Sequence, residues 1–305
     1  MFVNTQESFE RTDKVQGAGE TIQHLPEFQR IAEAHGLIPT YMLNHVVAMS
    51  GPAHDVLGPI AEAGHCVIGA QLHPWATPPY DEERSPENSY AGNLPAALEA
   101  AKIDSLTNAI ATHFGQRPVI YRAGRYGVGA NTAQLLGAAG YRMDVSVRPR
   151  FDYRADGGPD FTRHDARPYW TGNGSMLIEL PVGACFTGKL RRFGRYLQHH
   201  AQGRPNLGGL LARSGALSRV ALTPEDMPLE DAKEAVRVML GDGLQMLNFA
   251  MHSPCLSPGF TPYVKTSADL NTFYRWWEDM FSFLESLNVR PIASDAIIAA
   301  AWATR

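Results

Sequence analysis

Residues 69–79 read GAQLHPWATPP and directly follow the apolar run Cys66-Val67-Ile68. The apolar run predicts a short buried strand, and the prolines after it predict an extended loop. In an α/β barrel, such a junction between strand and loop faces the active site. A Gln, a His and a Trp there indicate a substrate cleft, although a lone loop histidine is more often a satisfied structural residue. The interpretation therefore depends on which other residues converge there.

Short apolar runs and amphipathic helical patterns alternate along the rest of the chain. The predicted strands cover residues 2–5, 39–43, 66–68, 118–121, 143–147, 177–182 and 244–251. The predicted helices cover residues 21–35, 54–63, 94–115, 131–139, 228–240, 271–287 and 294–302. Four strand and helix units in succession are typical of parallel strands joined by crossover helices. We therefore predict an α/β fold, a barrel with a single domain over residues 1–305.

Three segments do not fit the alternation and are predicted to be excursions from the barrel, the first of them lying above it. Residues 79–93 carry several charges and can form one wall of a cleft. Residues 148–174 are rich in Gly, Pro, Asp and Arg and predict a long loop around the mouth. Residues 188–219 form a basic, partly helical insertion, most simply a solvated helix face, with an anionic ligand as the alternative. The excursions at 79–93 and 188–219 can close over a ligand or meet a partner chain, so a homo-oligomer stays open.

The composition excludes several classes of protein. A hydrophobic content of 44%, a charged content of 19% and a net charge of -4 describe an enzyme-like globular chain and argue against nucleic-acid binding. No stretch is long and apolar enough to cross a membrane. Cys66, Cys185 and Cys255 show no CxxC spacing, which predicts free thiols. With no secretory signal at the start of the sequence, we expect a cytoplasmic protein.

The chain resembles the polysaccharide deacetylases of the NodB homology type, within a WalW-like branch. Four segments carry the resemblance: GLIPTY at 36–41, GAQLHPWATPP at 69–79, YRAGRYG at 121–127, and MHSP at 251–254 running into PGFTPY at 258–263. The resemblance implies a distorted, incomplete TIM-like barrel with its site at the carboxyl ends of the strands. It also implies hydrolysis of an amide by a divalent metal, usually zinc, held by an aspartate after the first strand and an HxxxH segment. A neighbouring aspartate then acts as base, an arginine loop braces it, and a late histidine acts as acid.

The metal positions of this family are degenerate in this chain. Asn4 and Gln6 stand where the family has acidic residues, and Gln71 and Trp75 stand where the two histidines fall. Because zinc requires charged or imidazole ligands, we predict that the protein uses no cofactor and no metal ligand. Zinc or another divalent metal, held by Glu7 and His73, stays as the alternative. The metal-independent allantoinases of a related branch resemble the chain in carrying glutamate at the first strand and Trp at the second histidine position.

Four residues are predicted to be catalytic: Glu7, Arg122, Asp144 and His252. Glu7 is the candidate base, with a surface salt bridge as the alternative. Arg122 is predicted to hold an anion or pin a carboxylate, or else to pair structurally with Asp144. His252 is the candidate general acid, because imidazole titrates near neutrality; core packing is its alternative.

Five residues are predicted to bind substrate: Gln71, His73, Trp75, Arg125 and Tyr126. The aromatic faces of Trp75 and Tyr126 suit a sugar ring, although such side chains are just as often core. Asp144, Arg148, Arg150 and Asp152 form a charge cluster beside the mouth that can organise the arginine loop, bind polar substrate or form salt bridges.

Two functions follow from these residues. The first is a hydrolase of non-peptide carbon–nitrogen bonds that deacetylates a sugar or a small amide without the usual metal triad. The alternative is an inactive pseudoenzyme of the deacetylase fold that binds carbohydrate or a partner. In both cases the expected partner is a small molecule or carbohydrate, without nucleic acid or membrane.

Overall fold

The computed structural model describes residues 1–6, 21–172, 177–201 and 205–304. The strands are β1 (Phe2–Thr5), β2 (Thr40–Leu43), β3 (Val67–Leu72), β4 (Ile120–Ala123), β5 (Met143–Asp144), β6 (Tyr169–Thr171), β7 (Leu177–Glu179), β8 (Ala184–Thr187), β9 (Ser218–Ala221) and β10 (Ala250–His252). The α-helices are α1 (Leu25–Ala34), α2 (His45–Ala48), α3 (Gly51–Glu62), α4 (Ala96–Phe114), α5 (Thr132–Ala138), α6 (Gly194–Ala201), α7 (Pro205–Arg213), α8 (Leu229–Gly241), α9 (Ser267–Ser286) and α10 (Ser294–Ala303).

Eight of the described strands form one curled sheet in the order β10-β1-β2-β3-β4-β5-β7-β6. All neighbours pair in parallel except β6, which pairs antiparallel to β7. β8 and β9 form a separate antiparallel pair. The hydrogen-bonded order ends at β10 and β6, so the main sheet is an open half-barrel. The predicted α/β barrel-like fold is confirmed.

The strand residues alternate between two apolar layers. Phe2, Met42 and Ile120 belong to a small cluster on one side of the sheet, to which Ile297 and Ile298 of α10 contribute. Val3 and Tyr121 belong to the large cluster between the sheet and the surrounding helices. Strands of a parallel sheet are covered on both faces, so both sets of side chains are buried.

Each predicted strand and helix overlaps an observed element, but β8 and α2 were not predicted and several predicted segments differ in extent. Residues 148–174 are not all loop, because Tyr169–Thr171 adds β6 to the sheet edge; three residues are too few for a periodic signal. The insertion at 188–219 is partly helical as predicted, with two helices, but it ends inside β9, a strand the sequence did not reveal. The predicted strand 244–251 is reduced to Ala250–His252, because the residues before it do not form regular strand hydrogen bonds. Asn248 Nδ2, for example, donates to the carbonyl oxygens of Leu180 and Pro181.

The excursion at 79–93 is fastened to the barrel by a buried lysine on α4. Lys102 Nζ donates to the carbonyl oxygens of Pro74, Thr77 and Pro79 at 3.0, 2.8 and 2.6 Å. It also forms an ion pair with Glu82 at 3.0 Å. One buried cation therefore fixes the loop that follows β3 and carries Trp75.

The three cysteines Cys66, Cys185 and Cys255 are free thiols, as predicted. None of the helices in the described part of the chain is long and apolar enough to cross a lipid bilayer.

Candidate active site

Four strands bring polar side chains to the carboxyl end of the half-barrel. Asn4 of β1 pairs in register with His252 of β10, and Gln71 of β3 pairs in register with Arg122 of β4. Because parallel strands end at one edge, residues far apart in sequence meet there. The structure thus brings together three of the predicted site residues, Gln71, Arg122 and His252, with Asn4 between them.

A continuous chain of hydrogen bonds joins Arg122, Asn4, His252 and Glu225. Arg122 Nη1 donates to Asn4 Oδ1 at 3.1 Å, and Asn4 Nδ2 lies 3.2 Å from His252 Nε2. His252 Nδ1 lies 2.8 Å from Glu225 Oε2, and the backbone nitrogen of His252 donates to Glu225 Oε1 at 2.6 Å. Arginine can only donate, which fixes the Asn4 amide with Nδ2 toward the imidazole. His252 therefore accepts at Nε2 and carries its proton on Nδ1, facing the carboxylate.

Glu225 is the member of this hydrogen-bonded chain that sequence analysis did not identify. Burial tends to raise the pKa of its carboxyl, but the charge and hydrogen bonds of His252 outweigh burial and hold it below the usual range. Glu225 therefore remains ionised. It lies in a turn directly after β9, a strand that was not predicted. A signal was present in Thr223-Pro224-Glu225, a carboxylate after an apolar run and a proline.

Arg122 lies beneath the site rather than in the open cleft. It is 1% exposed, and its Nε and Nη2 have no hydrogen-bond partner among the described residues. Burial lowers the pKa of its guanidinium. Among the four residues of the hydrogen-bonded chain, His252 has the most exposed side chain, at 20%, against 10% for the Glu225 side chain. The imidazole is therefore the group that a substrate can reach most directly.

The described residues do not fit the divalent metal that the resemblance implies. Both amide atoms of Asn4 are already engaged, and the Arg122 guanidinium beside its oxygen would repel a metal cation there. Within residues 1–6, 21–172, 177–201 and 205–304, no three His, Cys, Asp or Glu side chains are grouped to hold a metal ion. The candidate base Glu7 lies outside the described residues, so its role stays a prediction.

His73 is packed into the wall of the site next to the arginine loop. Its ring meets the Trp75 ring edge to face, with centroids 4.6 Å apart. A Cβ atom on Gly124 would lie 2.8 Å from the Leu72 carbonyl oxygen and 3.0 Å from the His73 ring. Only glycine therefore allows the β4 loop to cover His73, which is 8% exposed.

Asp144 pairs with a second buried carboxyl group instead of joining the hydrogen-bonded chain. A hydrogen bond links it to Glu179, its register partner on β7, and it also accepts from the backbone nitrogen and the hydroxyl of Ser146. Burial raises the pKa of Asp144, and burial together with the Asp144 charge raises that of Glu179 further. The two groups therefore share a proton. The described contacts include no ion pair between Asp144 and Arg122, and a catalytic role for Asp144 stays a prediction.

The Arg125 side chain connects two neighbouring loops. Its Nη1 donates to Ser89 Oγ at 2.5 Å, its Nη2 pairs with Asp156 at 2.9 Å, and its guanidinium lies 4.2 Å from the centroid of the Tyr90 ring. These contacts tie the excursion at 79–93 to the loop after β5. The next residue, Tyr126, stacks on Tyr153 with ring centroids 5.5 Å apart. Substrate binding by Arg125 and Tyr126 stays a prediction.

Comparisons with known proteins place the fold. No protein-family model matches the chain, and no curated protein matches it. The probable polysaccharide deacetylase from Pseudomonas aeruginosa PAO1 superposes with a TM-score of 0.55 at 15% identity, over 99% of this chain and 89% of that one. Puue allantoinase gives 0.50 at 15% identity, over 94% and 90% of the two chains. The 4-alpha-glucanotransferase from Thermococcus litoralis gives 0.58 at 12% identity, over 98% of this chain and 40% of that one.

At these identities the likeness establishes the fold alone, and the WalW-like branch stays a prediction. Strand order, parallel pairing and the superpositions agree with the expectation drawn from the sequence. The chain therefore has the fold of the polysaccharide deacetylases.

Proposed function

We propose that the protein hydrolyses a carbon–nitrogen amide bond other than a peptide bond, deacetylating an N-acetylated sugar or cleaving a small amide. The observation that carries this proposal is the pairing of Glu225 with His252 at the carboxyl end of the half-barrel. A buried carboxylate on Nδ1 of an imidazole orients the ring and stabilises its protonated form. Nε2 is then the atom that exchanges protons with the substrate or with water.

In this mechanism His252 serves proton transfer in both directions. Its neutral ring accepts a proton from the attacking water at Nε2, and the resulting imidazolium donates that proton to the leaving nitrogen. The water takes the position on Nε2 that the Asn4 amide holds at 3.2 Å in the free protein. If Glu7 is the base, as predicted from the sequence, His252 performs only the second of these steps.

Asn4 and Arg122 act as positioning residues. In the free protein Asn4 holds the imidazole from the side opposite to Glu225, and Arg122 in turn fixes the orientation of Asn4. The attacking water displaces this Asn4 contact when it occupies Nε2. The buried Arg122 charge also stabilises negative charge that develops nearby, since electrostatic interactions are strong where water is excluded. The partly buried rings of Trp75 and Tyr126 supply apolar surfaces for a sugar ring.

The second candidate function is a pseudoenzyme that binds carbohydrate or a partner. The observation in its favour is the replacement of acidic and imidazole donors by Asn4 and Gln71, which leaves the described site without metal ligands. The retained pairing of Glu225 with His252 favours the enzyme, because a site that only binds has no need of an oriented imidazole.

The test measures acetate and ammonia released from a panel of N-acetylated sugars and small amides. We expect turnover by the parent and by His54→Ala, an exposed control, and a loss of at least about hundredfold in His252→Ala. Metal-stripped parent and parent supplied with Zn²⁺ are expected to turn over equally. Binding without turnover in every variant would favour the pseudoenzyme instead.

A further inference from the structure

Two arginines converge on one aromatic ring beside the Glu225 and His252 pair. The guanidinium carbon of Arg148 lies 3.9 Å from the centroid of the Phe151 ring, and that of Arg219 lies 4.0 Å from the same centroid. Arg148 Nη1 also donates to the Tyr153 hydroxyl at 3.4 Å, and Arg219 Nη1 donates to the backbone oxygen of Arg150 at 3.2 Å. Aromatic and carbonyl contacts thus hold both cations in place.

Neither guanidinium group forms an ion pair with a carboxylate among the described residues. Across the described ranges, neither has a carboxylate oxygen within 4.0 Å. The nearby acidic groups are already engaged, since Asp152 pairs with Arg154 at 2.7 Å and Glu225 pairs with His252. Arg148 Nε is buried and has no hydrogen-bond partner among the described residues.

Two neighbouring guanidinium groups without a carboxylate in contact favour the binding of an anion. Burial and the charge of Arg148 lower the pKa of Arg219, which shows that the two like charges act on each other. The planar guanidinium fork matches the oxygens of a carboxylate or a phosphate. Arg148 also lies within electrostatic range of Glu225, so the pair of arginines adjoins the proposed reaction centre.

We propose that Arg148 and Arg219 form an anion-binding subsite, and that the amide substrate carries a carboxylate or a phosphate group. The identification of the anion as part of a substrate rests on the proposed function. The anion-binding subsite itself does not depend on hydrolysis. Phe151 and Tyr153 hold the arginines in the orientation that receives the anion.

Calorimetry on the full chain tests the subsite with inorganic phosphate and succinate as probes, at constant ionic strength. We expect saturable binding by the parent, and a Kd at least about tenfold weaker in Arg148→Gln and in Arg219→Gln. Arg275→Gln, an exposed arginine on α9, serves as the control and should bind like the parent. The tighter of the two probes identifies phosphate or carboxylate as the ligand group. No saturable binding by the parent, or equal weakening in Arg275→Gln, would overturn the proposal.

Two further variants separate this result from folding and from catalysis. Arg219→Lys keeps the charge but loses the fork, so it should bind more weakly than the parent while unfolding at the same temperature. His252→Ala should bind both probes as the parent does, even if it is inactive. If the parent hydrolyses amides, a neutral N-acetyl sugar should show the same KM in the parent and in Arg219→Gln. A sugar that bears the anionic group should then show a higher KM in the variant alone, and an unchanged KM would remove the subsite from the reaction.

Discussion

Glu225 accepts two hydrogen bonds from His252, one from the backbone nitrogen at 2.6 Å and one from Nδ1 at 2.8 Å. Each contact uses a different carboxylate oxygen, so the position of the strand and the plane of the ring are fixed together. A salt bridge at the protein surface would fix neither. This relationship makes His252 an oriented group rather than a packed one.

The first prediction concerns the tautomer of His252. Because Arg122 orients the Asn4 amide, Nε2 faces an N–H donor and the ring proton lies on Nδ1. Long-range ¹H–¹⁵N spectra of histidine-labelled protein at pH 8 should therefore show a protonated Nδ1 and an unprotonated Nε2. The exposed His54 provides the reference. A proton on Nε2 of His252 would mean that the Asn4 amide faces the other way.

The second prediction concerns the coupling of Asn4 to Arg122. Asn4→Leu leaves a buried guanidinium without its hydrogen-bond acceptor, so we expect a loss of about 3 kcal/mol in the free energy of unfolding. Arg122→Met should change stability much less, because an apolar side chain replaces a buried cation. The double variant should then be more stable than Asn4→Leu alone, as measured by urea unfolding. Additive losses in the cycle would show that the contact at 3.1 Å does not couple the two residues.

The third prediction concerns Glu99, a fully buried carboxyl group on α4. Burial raises its pKa from the usual 4.5 to about 7, and the Thr132 hydroxyl donates to it at 2.5 Å. With a raised pKa in the folded state, its contribution to stability is full below about pH 4.5 and is lost as the pH rises through 7. Glu99→Gln keeps an acceptor for Thr132 and removes the ionisation.

Glu99→Gln should therefore exceed the parent in unfolding free energy by up to about 3 kcal/mol at pH 8, with the gap closing below pH 5. Urea unfolding of both proteins at the two pH values measures this, with the exposed Glu62→Gln as control. A gap that does not change with pH would show that Glu99 does not titrate between these values.

The fourth prediction concerns Lys102, which fixes the loop after β3. Lys102→Met leaves three carbonyl oxygens and Glu82 without their cation, and we expect a loss of about 3 to 5 kcal/mol. Limited proteolysis should also cut residues 79–93 faster than in the parent. Lys265→Met, at an exposed position, should behave like the parent. Unchanged cleavage in Lys102→Met would show that the excursion is held by other contacts.

The sequence predicted the parallel strands because each is a short apolar run between amphipathic helices. It also placed Arg122 and His252 correctly at strand ends, since each directly ends such a run. Glu225 was missed because β9, the strand before it, begins with the polar residues Ser218 and Arg219 at the end of a long insertion. Asn4 was read as a lost metal ligand, and its contacts lie 118 and 248 residues away in sequence, where no local pattern reaches.

The central claim is that Glu225 acts through His252 in amide hydrolysis, and neutralising Glu225 tests it most directly. The measurement is kcat on the amide that the parent hydrolyses, in Glu225→Gln and in the adjacent control Asp226→Asn. We predict a loss of at least about hundredfold in Glu225→Gln, because an amide cannot stabilise the imidazolium, with Asp226→Asn within about twofold of the parent. Equal kcat values in the parent and both variants would contradict the account.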